Sequence, residues 1–368
     1  MQDAAADETA GRLFDAVFGN SPFLTSCMLL DAAFARDLLT GGADAAFESV
    51  LATVAAEAAP DSSQDAVAAT LRRCRRRVAL LTAIADIAGL WSLDQVTGTL
   101  SRFADAAIGA AAAHLLHRAH ESGDLVLPDP HDPARGSGLI VLGMGKLGAF
   151  ELNYSSDIDL ILLFDNEVVD YGGRESAQQF FVRLSRRLIA LLEDRTRDGY
   201  VFRIDLRLRP DPGSTPPAIS VLAAETYYES AGQNWERAAM IKARPIAGDI
   251  EAGRRFLAML RPFIWRRSLD FDAIQDIHSI KRQINARRGG GAVAVAGHNV
   301  KLGRGGIREI EFFAQTQQLI WGGRQPEMRS PRTCEALARL AADRARVTVA
   351  LRPDASGPAA VGVASFSS

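Results

Sequence analysis

Two aspartates, Asp157 and Asp159, follow a glycine-rich turn at residues 143–148 and open an apolar segment that ends at Asp165. On a β-strand, side chains two residues apart point to the same face, roughly 6.5–7 Å apart along the backbone. Burying such a pair without a cation is unfavourable, because each carboxylate raises the pKa of the other. A divalent metal that carries a phosphate group resolves this conflict, so the pair predicts a metal-dependent reaction centre.

A third acidic residue, Asp205, lies in a segment that alternates apolar and charged residues and predicts another strand over residues 201–209. The alternation places Phe202, Ile204, Leu206 and Leu208 on one face, and Arg203, Asp205, Arg207 and Arg209 on the other. We expect this strand to neighbour the strand that begins at Asp157. Carboxylates hold metal ions and guanidinium groups hold phosphate oxygens, so the set suits two-metal phosphoryl or nucleotidyl transfer. Arg207 and Arg209 are the first candidates for holding a phosphate, and a salt-bridged strand face is an equally good interpretation of them.

The glycine-rich turn and the residues just after it predict further contacts to phosphate. The expected contacts are Gly145, Lys146, Gly148, Ser155 and Ser156. The glycines allow the backbone to approach a phosphate closely, and the short helix that follows adds N-terminal amide groups. The serine hydroxyls can donate to phosphate oxygens beside the metal. For the lysine, an exposed position in the turn is an equally good interpretation.

Each aspartate, taken singly, also has a purely structural interpretation. Asp157 could cap a turn, and Asp159 could lie on the surface. Asp205 could form an ion pair with Arg203 or Arg207. The presence of all three after a glycine turn favours the metal-binding interpretation.

The glycines at 143, 145 and 148 also match the G-x-G-x-x-G pattern of dinucleotide-binding βαβ units. Between Gly148 and Ile158, however, there is room for barely two helical turns, whereas a parallel crossover needs about a dozen residues or more. An Asp-x-Asp opening also has no function in that kind of strand. The pattern therefore favours a different fold.

The composition excludes several broad classes of protein. The chain has 368 residues, a formal net charge of −2 and 48% hydrophobic residues, which argues against a general nucleic-acid surface. Its cysteines, Cys27, Cys74 and Cys334, show no metal-binding spacing and fit a reducing compartment. The sequence contains no signal-like N-terminus and no apolar run of about 18 residues. We therefore expect a cytoplasmic protein that binds neither membrane nor nucleic acid.

The order of these patterns predicts an α+β fold that is mostly helical, with a small mixed sheet flanked by helical regions. The predicted regions are an N-terminal helical region (1–127), the core that carries the aspartates (128–220), a helical domain that completes the site (221–340), and a disordered or truncated tail (341–368). Within the core, a helix capped by Ser176 is expected, with one apolar stripe. The stripe comprises Phe180, Phe181, Leu184, Leu188, Leu191 and Leu192.

The combined motifs resemble the bifunctional glutamine-synthetase adenylyltransferase/adenylyl-removing enzyme family, within the polymerase-β-type nucleotidyltransferases. The residues that carry the resemblance lie at 143–148, 151–161, 203–210, 234–237, 242–244 and 301–312. The resemblance covers roughly residues 15–340, and it implies a polymerase-β-like core. The segments Asn-Tyr-Ser-Ser-Asp-Ile-Asp and Gly-Gly-Ile-Arg-Glu-Ile-Glu are similar to the first, deadenylylating half of that longer family. One departure is Ala149, where the family usually has a second glycine.

The resemblance implies phosphorolysis: orthophosphate would release AMP from adenylylated glutamine synthetase as ADP. It also implies that Asp157, Asp159 and Asp205 hold Mg²⁺, with Mn²⁺ as the alternative ion. Lys301, in a glycine-rich segment, would contact the nucleotide, although an interdomain salt-bridge network explains that segment as well. A PII-type signal protein is the implied regulator. Two alternatives stay open: adenylyl transfer from ATP, which uses the same carboxylates, and an inactive regulatory fragment.

Overall fold

A computed structural model describes residues 8–168, 170–267, 299–301, 303 and 305–342, and the backbone of residues 351–352 and 360–361. The N-terminal region is helical, as predicted. Its helices are α1 (Glu8–Asn20), α2 (Pro22–Leu30), α3 (Ala32–Gly41), α4 (Ala43–Glu57), α5 (Gln64–Ile87) and α6 (Leu93–Glu121). The side chains of Ser21, Ser63 and Ser92 accept hydrogen bonds from amides of the first turn in α2, α5 and α6, which fixes where these helices begin. Within the described residues, none of the helices has the length and hydropathy needed to span a bilayer.

The central sheet is small and mixed. Its strands are β2 (Leu139–Gly143), β3 (Ile158–Phe164), β5 (Ile204–Asp205), β6 (Ala218–Ser220) and β7 (Arg244–Gly248), and a separate pair is formed by β1 (Leu125–Val126) and β4 (Asp170–Tyr171). Strand β2 runs antiparallel to β3 and β7, whereas β3 runs parallel to β5 and β6. The antiparallel pairing of β2 with β3 excludes a dinucleotide-binding βαβ unit at the glycine turn, since the strands of that unit are parallel.

The core of the sheet forms from the apolar segments on either side of the glycine turn. Every residue of β2 is buried, and β3 is buried except at Asp159. Helices α7 (Gly145–Gly148) and α8 (Ala177–Glu193) follow β2 and β4. Ser176 and Gln179 form a capping box at the start of α8, and the whole predicted apolar stripe of that helix is buried. The predicted mostly helical α+β fold is confirmed.

The predicted strand over residues 201–209 is wrong except at Ile204–Asp205, which form β5. The backbone amide of Arg207 donates to Oδ1 of Asp205 at 2.8 Å, and the amide of Arg209 donates to the carbonyl oxygen of Leu206 at 3.2 Å. These bonds bend the chain into a turn that begins at the aspartate, because a short acidic side chain competes with the sheet for backbone donors. Arg203, Asp205, Arg207 and Arg209 therefore do not share one strand face.

The chain divides into two compact units, one comprising residues 1–232 and 242–260 and the other residues 233–241 and 261–368. The first unit also includes α9 (Val221–Ser230) and α11 (Ile250–Met259). The second contains α10 (Asn234–Met240), α12 (Arg261–Ile264), α13 (Ile307–Trp321), a 3-10 helix (Pro326–Met328) and α14 (Thr333–Ala342).

In the tail, β8 (Leu351–Arg352) and β9 (Ala360–Val361) pair antiparallel. The other residues after 342 lie outside the described residues, so the predicted nature of the tail stays a prediction, as do the predicted region boundaries.

Candidate active site

The sheet brings the predicted acidic residues to one end of two neighbouring strands. Asp159 on β3 lies directly opposite Asp205 on β5 in a parallel pair. Parallel strands lie about 4.8 Å apart, and residues in register point to the same face. Asp157 precedes Asp159 by two residues and ends the loop that enters β3. The expectation that these two segments are neighbours is thus confirmed.

The glycine turn lies against the carboxylate of Asp159. The amide of Met144 donates to the carbonyl oxygen of Asp159 at 2.9 Å, which connects the end of β2 to the start of β3. Gly145 has a φ of +52°, and a Cβ atom there would lie 2.8 Å from Oδ2 of Asp159. A larger residue would therefore crowd the carboxylate, and this backbone conformation also disfavours other residues.

Asp205 is paired with an arginine that reaches it from solvent. The guanidinium of Arg207 donates to both carboxylate oxygens, with Nε 3.0 Å from Oδ1 and 2.8 Å from Oδ2. These hydrogen bonds hold the pKa of Asp205 below its usual range. The pKa of Arg207 is raised by the same hydrogen bonds, with smaller contributions from the charges of Asp159 and Asp157. Arg207 thus lies in the electrostatic field of all three carboxylates, although its side chain is 84% exposed.

Asp157 has a different arginine partner. Nε of Arg203 donates to Oδ1 of Asp157 at 2.5 Å, and its Nη2 donates to the carbonyl oxygen of Ser155 at 2.6 Å. The third donor, Nη1, contacts the hydroxyl of Tyr200 at 2.8 Å. The pKa of Arg203 is raised, chiefly by the hydrogen bond to Asp157. Arg203 therefore holds the loop before β3 in place, and Ser155 takes up a left-handed conformation there with a φ of +51°.

Arg209 is occupied by its own loop. Its guanidinium donates to the carbonyl oxygens of Leu206 at 3.0 Å, Pro212 at 2.8 Å and Thr215 at 3.0 Å. These contacts order the turn after β5, and they make Arg207 the better placed of the two arginines for a phosphate. The phosphate role of Arg209 stays a prediction.

The remaining predicted contacts are distributed over both units. Lys146 and Gly148 lie on the single helical turn α7, where the lysine is half-buried. Ser155 is exposed and Ser156 is half-buried, both in the loop that leads to Asp157. Lys301 is exposed and belongs to the second unit, so its proposed contact with the nucleotide stays a prediction.

The donor set suits a hard divalent ion, but the carboxylates are not gathered around one point. Carboxylate oxygens are the ligands that Mg²⁺ and Mn²⁺ prefer. Among the described residues, no group of three or more histidine, cysteine, aspartate or glutamate side chains is arranged to hold a metal ion. Two of the carboxylates instead face guanidinium groups. The residues fit a metal by type and by strand register, and ion binding requires Asp157 and Asp205 to exchange their arginine partners.

Two basic residues, Lys242 and Arg244, make contacts around the glycine turn. The sequence alone did not predict a role for them. Arg244 forms a two-point ion pair with Asp105 on α6, with Nη1–Oδ2 at 2.7 Å and Nη2–Oδ1 at 3.0 Å. It also donates to the carbonyl oxygen of Leu147 at 3.2 Å and lies 3.8 Å from the ring centre of Phe150. Nζ of Lys242 lies 3.0 Å from Oε2 of Glu151. Their occurrence together in the Lys-Ala-Arg motif was the available sequence signal.

The arginine-rich stretch of α5 orders the loop that leads to β5. Arg72 is almost fully buried and donates to the carbonyl oxygens of Asp194 at 2.6 Å and Gly199 at 2.9 Å. Arg76 donates to the carbonyl oxygen of Asp198 at 2.8 Å. These residues are more than 120 positions apart in the chain. At these two arginines the stretch is therefore not a solvated helix face, and it joins the predicted N-terminal helical region to the predicted core.

A mostly helical α+β protein, with acidic strand ends beside a glycine turn, is the class that this fold and site define. Residues 12–259 match the family described as glutamate-ammonia ligase adenylyltransferase, and the chain belongs to that family. Residues 278–348 match a second family, described as GlnD PII-uridylyltransferase. The family predicted from the sequence motifs is confirmed.

Three relatives that share one name support this assignment. The chain is 54% identical over 347 residues to the bifunctional glutamine synthetase adenylyltransferase/adenylyl-removing enzyme of Rhizobium meliloti (strain 1021), covering 92% of this chain and 35% of the relative. The protein of that name from Agrobacterium fabrum is 60% identical over 277 residues, covering 75% of this chain and 28% of the relative. The one from Rhodopseudomonas palustris (strain CGA009) is 49% identical over 322 residues, covering 88% and 32%. The chain thus spans about a third of the length of these relatives.

Proposed function

We propose that the chain removes AMP from an adenylylated tyrosine of glutamine synthetase by phosphorolysis. In this reaction an oxygen of orthophosphate attacks the phosphorus of the tyrosyl-AMP ester. The bond between that phosphorus and the tyrosyl oxygen breaks, giving ADP and the free tyrosine, whose oxygen gains a proton. Orthophosphate is already a nucleophile, so positioning matters more here than general-base catalysis.

The observation that supports this proposal most strongly is the pairing of Asp159 with Asp205 across parallel strands beside Gly145. This arrangement concentrates negative charge where a phosphate-bound cation can be held. Asp157, Asp159 and Asp205 are the residues that would hold Mg²⁺ or Mn²⁺. When bound, the ion would neutralise charge on the reacting phosphates and on the departing tyrosyl oxygen.

Arg207 has two roles in this proposal. Its guanidinium forms hydrogen bonds with Asp205, and if the carboxylates engage a cation instead, this guanidinium would be free to hold the incoming orthophosphate. The guanidinium is 84% exposed, so water can replace its hydrogen bonds during this exchange. Gly145 and Gly148 keep the turn close to the carboxylates, and Ser155 and Ser156 are the proposed hydroxyl donors.

Adenylyl transfer from ATP to glutamine synthetase is the second candidate, because the name of the relatives includes both activities. The choice of deadenylylation rests on the similarity of residues 153–159 and 305–311 to the first half of the family. We also propose a PII-type signal protein as regulator, on the basis of the match over residues 278–348. Residues 278–298, 302, 304 and 343–348 of that match lie outside the described residues.

The test separates the two reactions by their substrates. The chain is incubated with adenylylated glutamine synthetase, Mg²⁺ and orthophosphate, and separately with unmodified glutamine synthetase, Mg²⁺ and ATP. We expect ADP from the first mixture and no pyrophosphate from the second. Pyrophosphate from the second mixture alone would replace the proposal with adenylyl transfer.

A variant pair tests the carboxylates in the same assay. Asp159→Asn should slow ADP release by about 10²–10³-fold or more, as expected when a preorganised electrostatic contact in the transition state is lost. Glu229→Gln, an exposed change on α9, is the matched control and should leave the rate unchanged. Adding a purified PII-type protein should change the rate of the unaltered chain if that protein is the regulator.

A further inference from the structure

The second unit contains a groove whose charged side chains, among the described residues, are all arginines. It has a volume of about 890 Å³, and its lining residues all belong to this unit. The charged members are Arg261, Arg266, Arg267, Arg324 and Arg329. This volume falls in the range of about 300–1,000 Å³ that is common for small-molecule sites.

Close packing of two chain segments forms the groove. A Cβ atom on Gly323 would lie 1.9 Å from the carbonyl oxygen of Arg266, and one on Gly322 would lie 2.7 Å from Cζ3 of Trp265. Nε of Arg324 donates to the carbonyl oxygen of Arg267 at 2.8 Å. The two glycines therefore let the end of α13 contact the segment after α12, and this contact places arginines on both walls.

One wall is stiffened by an arginine that lies over an aromatic ring. The guanidinium of Arg329 lies 4.9 Å from the ring centre of Trp265, and its Nε donates to the carbonyl oxygen of Gly322 at 2.7 Å. Burial lowers the pKa of Arg329, and repulsion from Arg261 lowers it further, while Glu327 opposes both effects. The side chain is thus held close to a like charge.

The lining residues that the structure describes have a strong excess of positive charge. Among the described residues, neither Arg261 nor Arg266 forms a salt bridge, and both are exposed. Glu327 neighbours the groove without lining it, and Glu335 is engaged by Arg339 and Ser330. Guanidinium groups on facing walls match the several oxygens of a polyphosphate chain, since each group can donate two parallel hydrogen bonds.

We propose that this groove is a binding site for a polyphosphate anion, namely the phosphate chain of a nucleoside di- or triphosphate or a free polyphosphate of the same charge. A polyphosphate chain carries more oxygens than a single orthophosphate, so it can accept hydrogen bonds from more of these arginines at once. The proposal does not rest on the proposed reaction, because none of the lining residues is one of the proposed reaction-centre residues.

The experiment measures binding to the chain by isothermal titration calorimetry in buffer with EDTA. The chelator removes divalent ions, so any metal-assisted nucleotide binding at the carboxylates is suppressed. The probes are tripolyphosphate, ATP and orthophosphate, and a polyaspartate peptide serves as an acidic probe without phosphate. We expect tripolyphosphate and ATP to bind more tightly than orthophosphate, with affinities that fall as salt is raised. Equal binding of tripolyphosphate and ATP supports recognition of the phosphate chain alone, and tighter binding of ATP adds a contact to the nucleoside.

Variants locate the site. Arg261→Gln/Arg266→Gln should weaken tripolyphosphate binding by about tenfold or more, because each lost charged hydrogen-bond donor accounts for a factor of this order. Arg254→Gln/Arg255→Gln, with the same charge change on exposed positions of α11, is the matched control and should bind like the unaltered chain. Asp159→Asn should also bind normally, which separates this site from the reaction centre. Circular dichroism checks the fold of each variant, and Arg266→Gln alone replaces the double variant if it does not fold.

Three results would overturn the proposal. They are the absence of tripolyphosphate binding, equal weakening in the groove variant and its matched control, and binding of polyaspartate without binding of tripolyphosphate. The last result would assign the groove to an acidic protein surface instead.

Discussion

Ion pairs of the same chemical type occur on both sides of the glycine turn, and they differ in exposure. Behind the turn, Arg244 and Asp105 form a two-point pair with side chains 23% and 22% exposed, and Lys242, which pairs with Glu151, is 4% exposed. In front of it, Arg203 and Asp157 are 44% and 52% exposed, and Arg207 is 84% exposed although its partner Asp205 is only 14% exposed. Losing one partner of a buried pair is strongly destabilising, whereas a surface pair contributes little. The inner pairs therefore fix the backbone, and the outer carboxylates remain able to exchange partners.

The largest expected effect is a loss of stability caused by substitutions in the glycine turn. In Gly148→Ala, the new Cβ atom would lie 1.9 Å from the carbonyl oxygen of Lys242 and 2.5 Å from that of Gly143. Since both neighbours are backbone atoms, we expect the free energy of unfolding to fall by about 3 kcal/mol or more. In Gly145→Ala the nearest atom belongs to the movable carboxylate of Asp159, so the loss should be only about 1 kcal/mol, from the left-handed conformation. Urea denaturation would contradict this account if Gly145→Ala proved the more damaging change.

The second prediction concerns the inner ion pair of Arg244 and Asp105. Arg244→Met leaves the carboxylate of Asp105 without its two donors and removes the donor to Leu147. We expect unfolding free energy to fall by about 2–3 kcal/mol, less than for a fully buried pair because this one is partly exposed. Asp105→Leu in the same background should recover part of the loss, since it removes the unpaired charge. An unchanged denaturation midpoint for Arg244→Met would mean that the pair does not hold the turn.

The third prediction concerns the outer pair. Arg207→Met should lower the denaturation midpoint less than Arg244→Met does, because the lost guanidinium is 84% exposed, although its partner Asp205 is only 14% exposed. It should raise the KM for orthophosphate in the ADP-release assay by about tenfold, which is the expected loss of one charged contact. Arg209→Met is the informative comparison, since its guanidinium holds loop carbonyl groups. A larger rise in phosphate KM for Arg209→Met than for Arg207→Met would reverse the assignment of the phosphate ligand.

The smallest effects are in the titration of the carboxylates. Burial raises the pKa of Asp105, so its contribution to stability is greatest below the unfolded pKa and declines as pH rises through the folded pKa. Hydrogen bonds from Arg207 lower the pKa of Asp205, so its contribution is present above the unfolded pKa and is lost as pH falls through the folded pKa. Carboxyl ¹³C NMR in metal-free buffer should therefore show Asp205 titrating before Asp105 on raising the pH. Arg207→Met should move only Asp205 back toward its ordinary pKa.

Local patterns were sufficient to predict the elements that carry the site. Apolar runs predicted β2 and β3, and a serine cap and an apolar stripe predicted α8. The expectation that the strand after Asp157 neighbours the strand with Asp205 was also confirmed. The alternation over residues 201–209 was misleading. The amide of Arg207 donates a hydrogen bond to the side chain of Asp205, which ends the strand, and an alternation of apolar and charged residues does not reveal such a bond.

Contacts between distant parts of the chain were beyond the reach of those patterns. Arg244 and Asp105 are 139 residues apart, and Arg72 and Gly199 are 127 residues apart. Charged residues with helical or strand spacing are expected on a solvated face, so their burial depends on which elements the fold packs together. The sequence motifs indicated that Lys242 and Arg244 matter, and the fold supplied the reason.

The most direct test of the central claim is to follow radiolabelled orthophosphate into product. The chain is incubated with adenylylated glutamine synthetase, Mg²⁺ and [³²P]orthophosphate, with Asp159→Asn in parallel. The account predicts label in the β-phosphate of ADP, and its near absence in the variant. Release of unlabelled AMP would show hydrolysis instead of phosphorolysis, and equal labelling with Asp159→Asn would show that the strand-end carboxylates are not the reaction centre.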